Sequence, residues 1–176
     1  MIPYLPTAVT LLRLASLPSL ISLISLGEVF FADAVFILAI GSDLADGYLA
    51  RKMGLSSRFG ANFDATVDFV FIGGTFLYFV LSGTYPFWVM FLISTMFLQY
   101  LVTSKLLKVT FDPIGKYYGS LLYGAIGLTL LFKSQAAETI ILYDLVSVSI
   151  FTFSSRTAYL FKKRKERKYV CTIETM

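Results

Sequence analysis

The sequence predicts an all-α integral membrane protein, in which six transmembrane helices form one bundle and both termini are cytoplasmic. Of its 176 residues, 57% are hydrophobic and only 15% are charged, which lies well outside the usual balance of a soluble domain. Runs of about 20 apolar residues, the length that a bilayer requires, recur six times. The polar breaks between the runs are short, so no soluble domain is expected between them.

The first three spans are separated by residues that break apolar runs. Span one is predicted at 8–26 and ends at Gly27, a residue that disfavours helix continuation. Span two is predicted at 29–50. The polar and basic segment 51–60 follows it, and span three is predicted beyond that segment at 62–82.

The last three spans follow the same pattern. Span four is predicted at 85–107, and the Asp112-Pro113 pair after it is typical of a loop turn. Span five is predicted at 116–134 and span six at 139–161. The chain is therefore expected to fold as one compact bundle.

Basic residues indicate the orientation of this bundle. With six spans, all but one of the 15 Lys and Arg residues fall on the side of the termini, and the exception is Lys133. Because an excess of Lys and Arg marks the cytoplasmic side, we expect both termini to be cytoplasmic. Residues 1–161 are expected to form a multi-pass domain of the cell membrane, and residues 162–176 a basic cytoplasmic tail that contacts anionic headgroups of membrane lipids. No nucleic-acid partner is expected, since this run adjoins a membrane exit.

Four carboxylates interrupt the apolar pattern at the cytoplasmic ends of spans two and three. Asp43 and Asp46 are three residues apart, and Asp64 and Asp68 are four apart, spacings that put side chains on one helical face. Charges at membrane depth are costly, and four carboxylates repel one another unless a cation lies among them. Oxygen ligands in a chain without histidine suit Mg²⁺, Mn²⁺ or Ca²⁺ rather than zinc.

Small residues and an arginine accompany the acids. Gly47, Ala50 and Gly60 each lie four residues from one of the acids, which leaves room for a bulky ligand against the backbone. Helix packing alone can explain small residues in membrane spans, but it does not explain four acids. Arg51 adds a fixed cation suited to a phosphate oxygen. The group therefore predicts a site for a metal and a phosphorylated ligand.

This constellation resembles the signature of the CDP-alcohol phosphotransferases at all eight fixed positions. An opening segment is also similar to the start of several members. The resemblance implies an enzyme of phospholipid synthesis, which moves a phosphatidyl-type group from a CDP-linked lipid donor to a small polar alcohol acceptor and releases CMP. The matching residues are Asp43-x2-Asp46-Gly47-x2-Ala50-Arg51-x8-Gly60-x3-Asp64-x3-Asp68, preceded by Pro6, Thr10, Arg13 and Pro18.

The resemblance also implies a role for each residue. Asp43, Asp46 and Asp64 would hold Mg²⁺ or Mn²⁺ against the donor diphosphate. Asp68 would be the fourth acid of the metal site. As the catalytic base, it would also take the proton from the acceptor hydroxyl. The nucleotide and diphosphate would lie against Asp43, Asp46, Gly47, Ala50, Arg51 and Gly60.

Three basic residues at the cytoplasmic ends of spans four, five and six are candidates for binding a phosphate on the acceptor. They are Lys105, Lys116 and Arg156. Guanidinium and ammonium groups suit a phosphorylated acceptor such as glycerol phosphate or inositol phosphate. Snorkelling towards the headgroups explains each of them equally well. Because Phe69 stands where many members carry Lys or Arg, serine, inositol and choline remain alternative acceptors.

Two non-transferase functions are also consistent with acids in a membrane. A small cation transporter can use intramembrane carboxylates, although it would distribute them along a path across the bilayer rather than at one depth. A degenerate family member could act as a scaffold, although it has no physical reason to retain four costly charges. The glycines of span five favour helix packing, which could include a homodimer contact.

Overall fold

Helices are the regular secondary structure in the residues that the computed structural model of this chain describes. The described backbone covers residues 5–52, 58–107 and 113–174, and the described side chains are those of 11–42, 65–102 and 118–158. Within these ranges there are six helices and no strands, which confirms the predicted all-α class. The helices are α1 (Leu5–Ser25), α2 (Val29–Lys52), α3 (Arg58–Leu81), α4 (Trp88–Leu107), α5 (Pro113–Leu131) and α6 (Gln135–Glu174).

The first five helices begin and end within four residues of the predicted spans, but α6 is much longer than predicted. It has 40 residues and continues through most of the predicted tail to Glu174. At about 1.5 Å per residue it is roughly 60 Å long, twice the thickness of a hydrocarbon core of about 30 Å. The prediction from hydropathy detected only the apolar half of this helix. The basic half continues as helix because Lys and Arg have good helix propensity.

The surface of the bundle is consistent with a helical membrane protein. In the described ranges, one helical segment, Gln135–Ala158, is long and apolar enough to cross a membrane by itself. Five further apolar helical stretches in those ranges have 10–17 residues each. Large apolar side chains such as Phe30, Leu38 and Phe91 lie mostly exposed on the outside, where lipid would solvate them better than water. The side of the membrane on which the termini lie stays a prediction.

Three aromatic rings join α2, α3 and α5 in the middle of the bundle. The centroid of the Tyr123 ring lies 6.3 Å from that of Phe36 and 6.1 Å from that of Phe71. The Phe36 and Phe71 rings stack on each other with centroids 6.5 Å apart. Such pairs favour defined ring orientations, so this cluster fixes where the Tyr123 side chain points.

Two glycines allow neighbouring helices to approach closely. A Cβ atom on Gly74 of α3 would lie 2.7 Å from Leu17 Cδ2 of α1. A Cβ atom on Gly127 of α5 would lie 3.2 Å from Phe36 Cε1 of α2. The predicted packing role of the span-five glycines is therefore confirmed at Gly127. Gly73, in contrast, has no described atom within 4 Å of its Cβ position.

Gly74→Leu is expected to lower the free energy of unfolding by about 1–3 kcal/mol, because a leucine there forces the Leu17 side chain and the nearby backbone to shift. Thermal unfolding in detergent measures this effect. Gly73→Leu is the matched control, and we expect it to change stability by less than about 0.5 kcal/mol. Adding Leu17→Ala to Gly74→Leu should restore part of the loss. Equal losses in the two single leucine variants would contradict the close approach of α1 and α3.

Candidate functional site

The backbones of α2 and α3 carry the four acids of the sequence motif. Asp43 and Asp46 lie in the second half of α2, whereas Asp64 and Asp68 lie in the first half of α3. Asp68 is the member of the motif whose side chain is described. The side chains of the other motif residues lie outside the described residues, namely those of Asp43, Asp46, Gly47, Ala50, Arg51, Gly60 and Asp64.

The carboxylate of Asp68 is held by residues from two other helices. The guanidinium of Arg13 on α1 forms an ion pair with Asp68 Oδ1. The hydroxyl of Tyr123 on α5 donates a hydrogen bond to the same oxygen over 2.9 Å. Arg13 is 2% exposed and Asp68 is 30% exposed. The acid is therefore restrained from inside the bundle and is still reachable from its surface.

Burial explains why Arg13 and Asp68 are paired. A guanidinium removed from solvent is costly unless a carboxylate compensates its charge. Arg13, Asp68 and Tyr123 are the ninth, eleventh and eleventh residues of α1, α3 and α5. Because alternate helices joined by short connections run in the same direction, these positions lie at similar depths in the bundle.

From the sequence, Arg13 was predicted to belong to the opening segment and to the basic side of the bundle, and its contact with Asp68 was not predicted. No role was predicted for Tyr123. The sequence did contain a signal for the contact of Arg13 with an acid, since Arg13 stands between Leu12 and Leu14 inside an apolar helix. A charged side chain within an apolar helix commonly pairs with an opposite charge on a neighbouring helix. No comparable signal marks Tyr123 among 11 tyrosines.

Of the three candidates for binding the acceptor phosphate, Arg156 is the one whose side chain is described. It is 4% exposed, and its guanidinium carbon lies 5.7 Å from the centroid of the Tyr100 ring on α4. A cation over an aromatic face at that distance is stabilised by the ring quadrupole. Snorkelling does not fit this burial, because a snorkelling side chain keeps its charge in water. The side chains of Lys105 and Lys116 lie outside the described residues.

The metal site predicted at the four acids stays a prediction. Among the side chains that the structure describes, no three His, Cys, Asp or Glu residues form a group that could hold a metal ion. Three of the four motif acids lie outside that set. The described part of the site therefore consists of Asp68 with Arg13 and Tyr123, together with the separate pair of Arg156 and Tyr100.

Most of the chain, including the described part of the site around Asp68, matches a known protein family. A family model described as CDP-alcohol phosphatidyltransferase matches residues 3–151, a range that contains the whole eight-position motif. It also contains Arg13 and Tyr123. Arg156 lies outside the matched range.

Individual relatives match shorter parts of the chain. Phosphatidylinositol phosphate synthase of Streptomyces avermitilis is 46% identical over 50 residues, which are 28% of this chain and 20% of that protein. CDP-diacylglycerol--glycerol-3-phosphate 3-phosphatidyltransferase 1 of Arabidopsis thaliana is 40% identical over 82 residues, 42% of this chain and 26% of that protein. The probable phosphatidylglycerophosphate synthase of Mycobacterium tuberculosis is 39% identical over 62 residues, 35% and 30% of the two chains. The matches thus span between a fifth and a third of these relatives.

Proposed function

Because this chain belongs to the CDP-alcohol phosphatidyltransferase family, we propose that it transfers a phosphatidyl-type group from a CDP-linked lipid to a phosphorylated alcohol. CMP is the second product. Relatives named as synthases of phosphatidylinositol phosphate and phosphatidylglycerophosphate support a phosphorylated acceptor. The observation that carries the proposal is the Asp68 carboxylate, which is restrained by Arg13 and Tyr123 and yet 30% exposed.

Asp68 acts as the general base in the proposed reaction. The acceptor O–H bond breaks, and its proton goes to the Asp68 carboxylate. The acceptor oxygen forms a bond to the lipid-bearing phosphorus of the donor, and the bond from that phosphorus to the CMP oxygen breaks. A base in this role must lie within hydrogen-bond reach of the hydroxyl. The 30% exposure of the Asp68 side chain supports this role, because an acceptor hydroxyl can approach a partly exposed carboxylate.

The acids fit a hard divalent cation. Asp43, Asp46, Asp64 and Asp68 offer only carboxylate oxygens, and the chain has no histidine, so Mg²⁺ or Mn²⁺ is favoured over zinc. When bound, such an ion would neutralise negative charge on the donor diphosphate and on the departing CMP. Asp43, Asp46 and Asp64 would be its principal ligands, with Asp68 beside them.

Removing divalent cations with EDTA is expected to lower CMP release by about 100-fold or more, since charge neutralisation of this kind contributes several kcal/mol. Added Mg²⁺ or Mn²⁺ should restore the activity. The unfolding temperature with and without EDTA is the control for loss of the fold. Full turnover in EDTA would contradict the metal assignment.

The remaining motif residues are assigned to the donor. Gly47, Ala50 and Gly60 leave room for the cytidine nucleotide at the ends of α2 and α3, and Arg51 provides a cation for its diphosphate. Arg156 binds the acceptor phosphate, assisted by Lys105 and Lys116. Burial beside the Tyr100 ring supports Arg156 most directly, because a guanidinium away from water interacts more strongly with a phosphate.

The proposed setting is the cell membrane, with the site facing the cytoplasm. The lipid tails of the donor would run along the exposed apolar side chains of the bundle. A homodimer is proposed at Gly119 and Gly124 of α5, where a Cβ atom would have no described neighbour within 4 Å. Small residues of this kind favour close helix contacts in lipid.

Purified protein in liposomes tests the proposal directly. Labelled CDP-diacylglycerol or CDP-archaeol and Mn²⁺ are supplied with glycerol phosphate, inositol phosphate, serine, inositol or choline, and CMP release is measured. We expect release with one of the phosphorylated acceptors. A preference for serine, inositol or choline would show that the acceptor-phosphate assignments are wrong. Ion flux without CMP release from any combination would favour the transporter.

A further inference from the structure

Asp68 receives two donors on one oxygen from two different helices. Arg13 approaches Oδ1 from α1, and the Tyr123 hydroxyl approaches it from α5. A carboxylate on a helix otherwise rotates among several staggered positions. Two simultaneous donors restrict rotation about both side-chain bonds, so α1 and α5 determine where the carboxylate of α3 points.

The two donors are themselves restrained by the packing around them. The Tyr123 ring contacts Phe36 and Phe71, which fixes the direction of its hydroxyl. Arg13 is almost completely buried. One turn further along the same helix, Leu17 lies against the backbone of Gly74 on α3, and this close contact sets the position of α1 along α3.

We propose that Arg13 and Tyr123 are positioning residues for Asp68, holding its carboxylate in the orientation from which it accepts the proton of the acceptor hydroxyl. This inference rests on the proposed function, since it concerns the same reaction. A small displacement of a reacting group can cost about 100-fold in rate. Neither residue needs to touch the substrate for this effect.

A purely structural role predicts a different result. If the ion pair and the hydrogen bond only stabilise the bundle, their loss lowers the unfolding temperature, and the folded fraction keeps its turnover number. If they position Asp68, the folded protein keeps its KM for donor and acceptor and loses kcat. The split between KM and kcat therefore separates the two roles.

Tyr123→Phe is the principal test, and Tyr85→Phe is its matched control. Both changes remove one phenolic hydroxyl that makes a hydrogen bond to a residue of another element. The Tyr85 hydroxyl pairs with Thr129 Oγ1 of α5 at 2.6 Å in a buried position, away from Asp68. We expect Tyr123→Phe to lower kcat by about 10- to 100-fold with KM unchanged. Tyr85→Phe should stay within about twofold.

Arg13→Lys and Arg13→Gln test the second donor. Lysine keeps the charge but lacks the planar fork of the guanidinium, whereas glutamine keeps neither. We expect kcat to fall in the order wild type, Arg13→Lys, Arg13→Gln, measured per folded molecule after size-exclusion chromatography in detergent. If Arg13→Gln fails to fold, the comparison of Arg13→Lys with Tyr123→Phe still decides the question.

Several results would overturn the positioning role. Equal kcat values for Tyr123→Phe and Tyr85→Phe would do so. A wild-type kcat in both single variants, Arg13→Lys and Tyr123→Phe, would also do so. A rise in KM without a fall in kcat would assign these residues to substrate binding instead. Failure of the proposed function is distinct, because the wild-type protein itself would then release no CMP from CDP-diacylglycerol or CDP-archaeol with any acceptor.

Discussion

Asp68→Asn is expected to lower CMP release by about 10²- to 10⁴-fold, which is the range that a general base contributes. Asparagine preserves the shape of the side chain, and its amide oxygen can still accept hydrogen bonds from Arg13 and Tyr123. The amide cannot take the proton of the acceptor hydroxyl. The reaction therefore loses its base while the site keeps its geometry. The rate of CMP release from saturating CDP-lipid and acceptor measures the effect.

The buried ion pair makes a stability control necessary for this variant. The substitution removes the carboxylate that pairs with Arg13, which is 2% exposed, and breaking a buried ion pair costs about 3–5 kcal/mol. Unfolding temperature and binding of CDP-lipid should therefore be measured beside the rate. Asp144→Asn makes the same change at an exposed carboxylate of α6 and should leave turnover unchanged. Near-normal turnover in Asp68→Asn would show that the assigned base is wrong.

Arg156→Gln is expected to raise the KM for a phosphorylated acceptor by about 10- to 100-fold. A hydrogen bond to a charged group contributes roughly 1.5–3 kcal/mol, and about 1.4 kcal/mol corresponds to a factor of ten. Burial beside Tyr100 places Arg156 near the upper end of this range. Separate titrations of acceptor and CDP-lipid measure the two KM values.

Arg164→Gln is the matched control for Arg156→Gln. It makes the same substitution further along α6, in the basic run at 162–168. We expect unchanged KM values for both substrates, apart from a small loss of attraction to anionic lipids. If Arg156→Gln raises the KM for CDP-lipid as much as that for the acceptor, Arg156 binds the donor or supports the fold instead.

Hydropathy and local turn signals were sufficient to predict the first five helices and the start of the sixth. Apolar length defines a membrane span almost by itself, so the first five helices were predicted to within four residues. The extension of α6 to Glu174 was missed because charged residues end a hydropathy signal without ending a helix. The same run of Lys and Arg at 162–168 that ended the predicted span also favours continued helix.

The motif predicted residue types at the site but not their contacts. Spacing along one helix is fixed by its 3.6-residue repeat, and this is why Asp64 and Asp68 could be placed on one face. The contact between Arg13 and Asp68 depends instead on how α1 and α3 rotate and slide against each other. Packing determines these quantities, for example at Leu17 and Gly74. The burial of Arg156 depends in the same way on α4 supplying the Tyr100 ring.

The pairing of Arg13 with Asp68 also constrains how the bundle assembles. In a chain that enters a bilayer helix by helix, α1 would arrive before α3, so Arg13 would precede the Asp68 carboxylate with which it pairs. A lone arginine inside a membrane helix costs about 2.5–3.5 kcal/mol on insertion scales. Pairing with Asp68 would lower that cost once α3 arrives, which would favour joining α1 to α3 early in biogenesis. Tyr123 would reach the same carboxylate later with α5, so the described contacts of Asp68 would form in the order in which the helices are synthesised.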